Sequence, residues 1–384
     1  DEKLIAYEIV EFEKGIETQY ITRSLDSRAN DLAISAKDLS IQNVLTSKLS
    51  NLSLQIYSFL LKNGYAKNEE DYLQTRTYFH YHLPSYSIEH LGFREKLYLY
   101  MAHLWYSLVI QDFSRSYRYA TKWVNLFEEN KKMMEAYPVH YLKGKNNLIE
   151  SLFFLRYYSK FESNLAELEI HCANPKLITN SNTQTLAFLY TRYNQLNKHF
   201  LKGSFSEGLK DLARIEIELK GFESKIDSHH VMVFYYKFAS IYFGAGNYKA
   251  CIYYLEKIIS NKELGMRQDL LCYSRLLHLI AHYEDGQDAH LDRIIRSTFK
   301  FLIKMDDMHR VQAEIMVFLK NLGHILPSEL DSEFKRLLGK LKALENHPFE
   351  KRSFLYLDII SWLESKIERK GIHQIITEKS ANLR

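Results

Sequence analysis

The chain has 384 residues, 46% hydrophobic and 26% charged, an ordinary balance for a folded protein that argues against disorder. A net charge of +4 is too small to argue for nucleic acid. The three cysteines, Cys172, Cys251 and Cys272, have neither disulfide-framework nor metal-ligand spacing, so a reducing, cytoplasmic setting is expected, and no apolar run approaches the roughly 18 residues of a membrane span.

In chain order, apolar periodicity predicts helices over 2–14, 17–34 and 38–62. The third carries the stripe Leu45, Leu49, Leu52, Ile56, Phe59 and Leu60, and Asn63-Gly64 then offers a left-handed stop. Helices follow over 69–83, 93–110, 113–135, 138–157 and 160–172, with residues 1–90 reading as generic helix pairs. Beyond Pro175 come 181–202, 205–220, 229–244, 247–260, 267–284 and 288–304. The last three are 307–322, striped by Met308, Val311, Ile315, Phe318, Leu319 and Leu322, then 329–345 and 349–369. The five prolines, at 84, 138, 175, 327 and 348, all fall at junctions, since helix interiors exclude them. No Asn-Gly or Asp-Gly turn sits between alternating apolar runs, so strands are not expected. The start, Asp1-Glu2-Lys3-Leu4, does not read as a signal peptide and carries no initiator methionine, which suits a piece of a longer chain.

Short connections force consecutive helices to pack antiparallel. Gln111-Asp112-Phe113, Ser159-Lys160-Phe161, Gly203-Ser204-Phe205 and Gly246-Asn247-Tyr248 each end one helix and open the next with an aromatic. These aromatics fall 48, 44 and 43 residues apart. A period in that range signals a helical solenoid, about eight helix pairs over 1–384 as a single domain.

The clearest unit lies within 229–263 and runs FYYKFASIYFGAGNYKACIYYLEKII over 234–259. Its large, small and aromatic positions are Tyr235, Phe238, Ala239, Tyr242, Gly246, Asn247, Tyr248, Cys251, Leu255 and Ile258. This pattern resembles the tetratricopeptide-repeat (TPR) family, and the whole chain is similar to bacterial TPR-like proteins of unassigned function and, in length and helicity, to TPR peptide receptors of bacterial signalling. The units are longer than the usual repeat of about 34 residues. Glu263 stands where a proline often closes the second helix. The resemblance implies an all-α, right-handed solenoid whose first helices line a concave groove. In that register Tyr193, Asn197, Phe200, Tyr236, Ser240, Phe243, Leu276, Ile280 and Tyr283 face the groove. A slip of one residue would place them in the core instead. Tyr236 and Ser240 stand where some TPR domains carry the basic and Asn residues that clamp a carboxylate.

No residue set has the spacing of a known catalytic site. His278 and His282 share one helix face, and Asp285 or Asp288 could add an oxygen, but Leu279 stands where H-E-x-x-H needs its Glu, so packing is the favoured reading. His80 and His82, and the pair His229-His230, read as helix-end or turn residues. Gly244-Ala245-Gly246 lacks the order of a phosphate loop, and Cys251 has no obvious His partner. The expected function is non-catalytic binding of a protein or peptide in the groove, with no cofactor and no membrane partner. A peptide-gated regulator and a metal-assisted hydrolase at His278/His282 are the alternatives, and RNA binding ranks last.

Overall fold

In a computed structural model of the chain, the described residues are 2–23, 25, 27–261, 268–286, 288–305, 309–321, 325–326, 328–356 and 358–381. Glu263, Met308, Leu322 and Pro327 lie outside them. Among the described residues all regular structure is helical and no strand occurs. They divide into two compact units, 1–65 with 69–130, and 66–68 with 131–384, where the sequence reads as one array.

The first unit holds α1 (Lys3–Tyr20), α2 (Arg28–Asn63), α3 (Glu69–His82), α4 (Phe93–Val109) and α5 (Phe113–Glu128). The expected break between 34 and 38 is absent: Ser35-Ala36-Lys37 contains neither proline nor glycine, and α2 continues for 36 residues. Gly15 does not stop α1 either, because it sits in open space and costs the helix only about 1 kcal/mol. Gly64, at φ 76°, does end α2, returning its N–H to the Leu60 carbonyl at 3.0 Å. The core forms where α4 packs on α2, around Leu49, Leu91 and Leu99, and where α4 packs on α5, which buries Trp123. Phe79 stacks on Tyr106 with centroids 4.2 Å apart, and His103 on Tyr119 at 4.3 Å. Glu95 is a buried carboxylate. Burial pushes its pKa up, but hydrogen bonds from Thr46 and from Lys3 Nζ (3.0 Å) outweigh that and hold it below the usual value.

The second unit holds α6 (Lys131–Ala136), α7 (Pro138–Phe154), α8 (Tyr158–Ala173), α9 (Ser181–Lys202), α10 (Phe205–Lys220), α11 (Ser228–Gly244), α12 (Tyr248–Ile259), α13 (Gln268–Glu284), α14 (Asp288–Met305), α15 (Arg310–Asn321), α16 (Leu330–Leu344), α17 (Ser353–Tyr356), α18 (Ile359–Glu368) and α19 (Ile372–Ala381). Neighbours in sequence are neighbours in space from α7 to α16. In addition α7 touches α9, α9 touches α11, and α11 touches α13, so alternate helices form a layer of their own. The chain then doubles back: α18 packs on α16, and α19 packs on α18 and on α9.

The turns carry the repeat more clearly than the aromatics do. Gln111, Arg156, Gly203, Gly246 and Gly286 are all left-handed, at φ 58°, 55°, 71°, 76° and 70°. Three of these helix ends share one hydrogen bond, from the residue after the turn to the carbonyl five back: Asp112 to Ser107, Tyr157 to Leu152 and Asn247 to Tyr242. That is the Schellman closure of a helix. It moves one expected junction: the turn lies at Leu155–Tyr157, and Phe161 is inside α8 rather than at its start.

The TPR-like unit is α11 with α12. Phe238, Ala239, Cys251, Leu255 and Ile258 are fully buried, while Tyr235, Tyr242 and Tyr248 are half-buried and Gly246 is exposed. Tyr254, not singled out by the pattern, is the hub. It stacks on Tyr242 at 5.7 Å, meets Phe238 edge-on at 5.4 Å and donates to Glu216 Oε1 at 2.7 Å. Asn247 caps α12 by accepting from the Ala250 N–H at 3.2 Å.

Candidate binding face on alternate helices

The residues expected to line a groove separate into two sets. Tyr236 (6% exposed), Phe243 (5%), Leu276 and Ile280 are buried members of the hydrophobic core of the second unit, together with Ile241, Leu277 and Leu279. Asn197 is buried too, but among polar partners. Tyr193, Phe200, Ser240 and Tyr283 are half-buried. The physical reason is register. Adding 43 residues to Tyr193 selects Tyr236, whose side chain turns inward; adding one more selects Lys237, whose ammonium meets Tyr193 and Phe200.

Lys237 organises this face. Its Nζ donates to Asn197 Oδ1 at 2.6 Å and lies 5.7 Å from the Tyr193 ring centroid and 6.0 Å from that of Phe200. Asn197 Nδ2 donates to Asn194 Oδ1 at 3.3 Å, and Asn194 Nδ2 donates to Asn146 Oδ1 at 2.9 Å. A hydrogen-bonded chain thus runs from α11 through α9 to α7, every step donated in the same sense. Such chains polarise one another inside a protein. Burial pulls the Lys237 pKa down to about 8, and the Glu150 carboxylate on α7 opposes that only in part. The Tyr193 hydroxyl is anchored on the His230 carbonyl at 2.8 Å, which fixes the ring beside the ammonium. The arrangement offers a cation, amide donors and acceptors, and two aromatic faces on three helices. It suits a polar or anionic group carried on an extended apolar segment.

Lys145 is buried between α7 and α8. Lys145 Nζ donates to Asn164 Oδ1 at 2.9 Å and to Glu167 Oε2 at 2.5 Å, a paired structural cation.

The histidine pair is close in space. His278 Nε2 and His282 Nε2 are 3.2 Å apart, so one ring donates to the other. Burial, then His282 and Arg275, push the His278 pKa down to about 4, and Glu256 Oε1 is 3.9 Å from His278 Nε2. Among the described residues no group of three or more His, Cys, Asp or Glu side chains is placed to hold a metal ion; the side chain of Asp288 lies outside them. His278 borders an open depression of about 560 Å³ lined by Tyr253, Glu256, Lys257, Ile259 and Ser260. Cys251 is buried and its thiol pKa is raised by that burial; Cys172 is pushed up to about 12, by burial first and Glu169 second. Neither thiol is activated. His82 Nδ1 meets the Tyr78 carbonyl at 2.9 Å within α3, and His230 lies 2.8 Å from the Asp227 cap of α11.

Comparison with protein-family models, with curated proteins and with solved structures gives no match. Among the described residues no helix is long and apolar enough to cross a membrane.

Proposed function

We propose that residues 131–381 are a TPR-like right-handed array of antiparallel helix pairs, and that it serves as a non-catalytic protein- or peptide-binding scaffold in a reducing cytoplasm. The binding face is carried by α7, α9 and α11. The observation that supports this reading is the Lys237–Asn197–Asn194–Asn146 chain framed by Tyr193 and Phe200. Asn194 and Asn197 are buried and hydrogen-bonded, which fixes the half-buried Lys237 ammonium beside the Tyr193 and Phe200 rings. The free state of all three cysteines fits the same compartment.

The test starts from affinity capture out of the native cell extract, followed by titration of the captured partner. Lys237→Met keeps the stem volume and removes the ammonium. Measured well below the melting point of either protein, it should weaken the partner at least about tenfold, the scale of a hot-spot loss. Unchanged affinity would sink the assignment of this face.

A peptide-gated regulator is the second reading, and one feature favours it. Helices α18 and α19 tie together the ends of α13 and α9. Trp362 Nε1 donates to Glu284 at 2.7 Å, and Lys366 pairs with the same carboxylate. Thr377 Oγ1 donates to the Lys202 carbonyl at 3.2 Å. A ligand that loosened this tie would change the spacing of α9, α11 and α13.

A further inference from the structure

We infer that the first unit carries a binding site for a phosphate monoester, where α3, α4 and α5 meet around Arg115. The site rests on nothing in the face proposed above. Arg115, Tyr119 and Lys122 are spaced by four and three residues, so they share one face of α5. The Arg115 guanidinium lies 5.1 Å from the centroid of the Tyr106 ring and 5.8 Å from that of Tyr119, and its Nη2 donates to His103 Nδ1 at 3.2 Å. His103 is itself buried and held in place, stacked on Tyr119 at 4.3 Å. The Lys122 ammonium lies 5.4 Å from the same Tyr119 ring, and His80 of α3 meets Tyr106 edge-on at 6.1 Å. Two cations therefore share one ring. Arg115 is half-buried with its fork fixed from three sides, while Lys122 is exposed on a stem that can swing.

These cations have no acid of their own. Among the described residues neither Arg115 nor Lys122 forms an ion pair, and the Asp112 carboxylate caps α5, accepting from the backbone N–H of Arg115 at 2.9 Å. Burial first, then Arg115, His80 and Lys122, push the His103 pKa down to about 3. The imidazole is therefore neutral and accepts from Arg115, and the local field stays positive. A half-desolvated guanidinium that is already oriented offers a bidentate donor at little entropic cost, and a phosphoryl dianion answers two positive charges where a carboxylate answers one. A single-stranded nucleic acid is matched less well. Tyr106 is stacked on Phe79 at 4.2 Å, Tyr119 is stacked on His103, and cations lie against both rings, so neither is free to stack a nucleobase.

Calorimetric titration of the full chain with phenyl phosphate should show saturable binding, and benzoate, the matched aryl carboxylate, should bind at least about tenfold more weakly. Arg115→Lys keeps the charge and loses the fork, whereas Lys122→Gln changes only an exposed side chain. Each should weaken phenyl phosphate about tenfold or more, and Lys210→Gln, an exposed lysine of the second unit, should not. Absence of saturable binding, equal binding of benzoate, or unchanged affinity in Lys122→Gln would overturn the inference. So would a short oligouridylate that binds more tightly than phenyl phosphate and depends on the same two residues, since it names another ligand. If Arg115→Lys unfolds the chain, Lys122→Gln decides alone. Free phosphotyrosine and a short phosphotyrosine peptide then separate the sources of the group. Tighter binding of the peptide supports the site with a phosphorylated partner protein as its ligand, tighter binding of the amino acid supports it with a free phosphate ester, and failure of both overturns it.

Discussion

Helices α1 and α11 are nearly the same length, 18 and 17 residues, and both are rich in apolar side chains. Yet α1 buries nothing, while α11 buries Met232, Phe234, Tyr236, Phe238, Ala239, Ile241 and Phe243. The difference lies in neighbours, not in propensity. Helix α11 touches α9, α10, α12 and α13, so most of its circumference is covered, whereas α1 packs chiefly on α2 and keeps one apolar stripe outside. Periodicity thus shows that a helix has an apolar face, and only packing decides whether that face is a core or a surface.

The sharpest way to break this comparison is to cut the same side chain on both helices. Phe243→Ala removes a ring that sits edge-on to Tyr248 at 5.6 Å in the core, and should cost about 3–5 kcal/mol. Phe12→Ala removes a ring that is mostly in water and should change stability by less than about 0.5 kcal/mol. Urea unfolding of the two variants measures both. Similar losses would mean that α1 is covered in solution.

Overpacking gives the next effect. Ala239 is completely buried on the helix that packs closely on α12. Ala239→Leu should destabilise by about 1–3 kcal/mol, read as a lower urea midpoint at unchanged slope. An unchanged midpoint would show that the closest approach of α11 and α12 lies elsewhere.

How much of this was legible beforehand follows from the same contrast. The all-helical class was readable, because sparse proline and three-to-four periodicity are local signals. The small positions Ala239 and Cys251 and the turn at Gly246 were readable from one repeat. Of the candidate face, Tyr193, Asn197 and Phe200 were readable but Lys237 was not, because Tyr236 and Lys237 differ by a single step of period, and inward or outward orientation depends on partners about 40 residues away. The turn at Arg156 was hidden because a non-glycine residue occupies the left-handed position, and α19 lies beyond 349–369, the last helix expected from the sequence. The return of α19 onto α9 spans 175 positions and has no local signature.

The next effect separates Lys237 from an ordinary surface lysine. Its pKa is about 8 in the folded chain against 10.5 ordinarily, so between those values the unfolded state holds more protons than the folded one. Stability should therefore rise as pH goes from about 8 toward about 10.5, by about 1–2 kcal/mol after allowance for solvent screening. Lys237→Met should flatten that rise, whereas Lys14→Met, on the exposed helix, should not. Urea midpoints across the pH range test this, and a rise that survives Lys237→Met belongs to other groups.

The smallest effect concerns the turns. Gly246 and Arg156 occupy equivalent left-handed positions, at φ 76° and 55°, one as glycine and one not. A Cβ on Gly246 would meet nothing within 4 Å, so Gly246→Ala pays only for its backbone conformation, about 1 kcal/mol. Arg156 already bears that strain. Arg156→Gly should recover part of it and stabilise by a few tenths to about 1 kcal/mol, because greater freedom of the unfolded glycine offsets some of the gain. Thermal melts of the two single variants and the double variant should show opposite signs and near-additive shifts, since the sites share no contact among the described residues. If Arg156→Gly destabilises instead, its side chain contributes more to the α7–α8 junction than its dihedral costs, and the two turns are alike in shape but not in energetics.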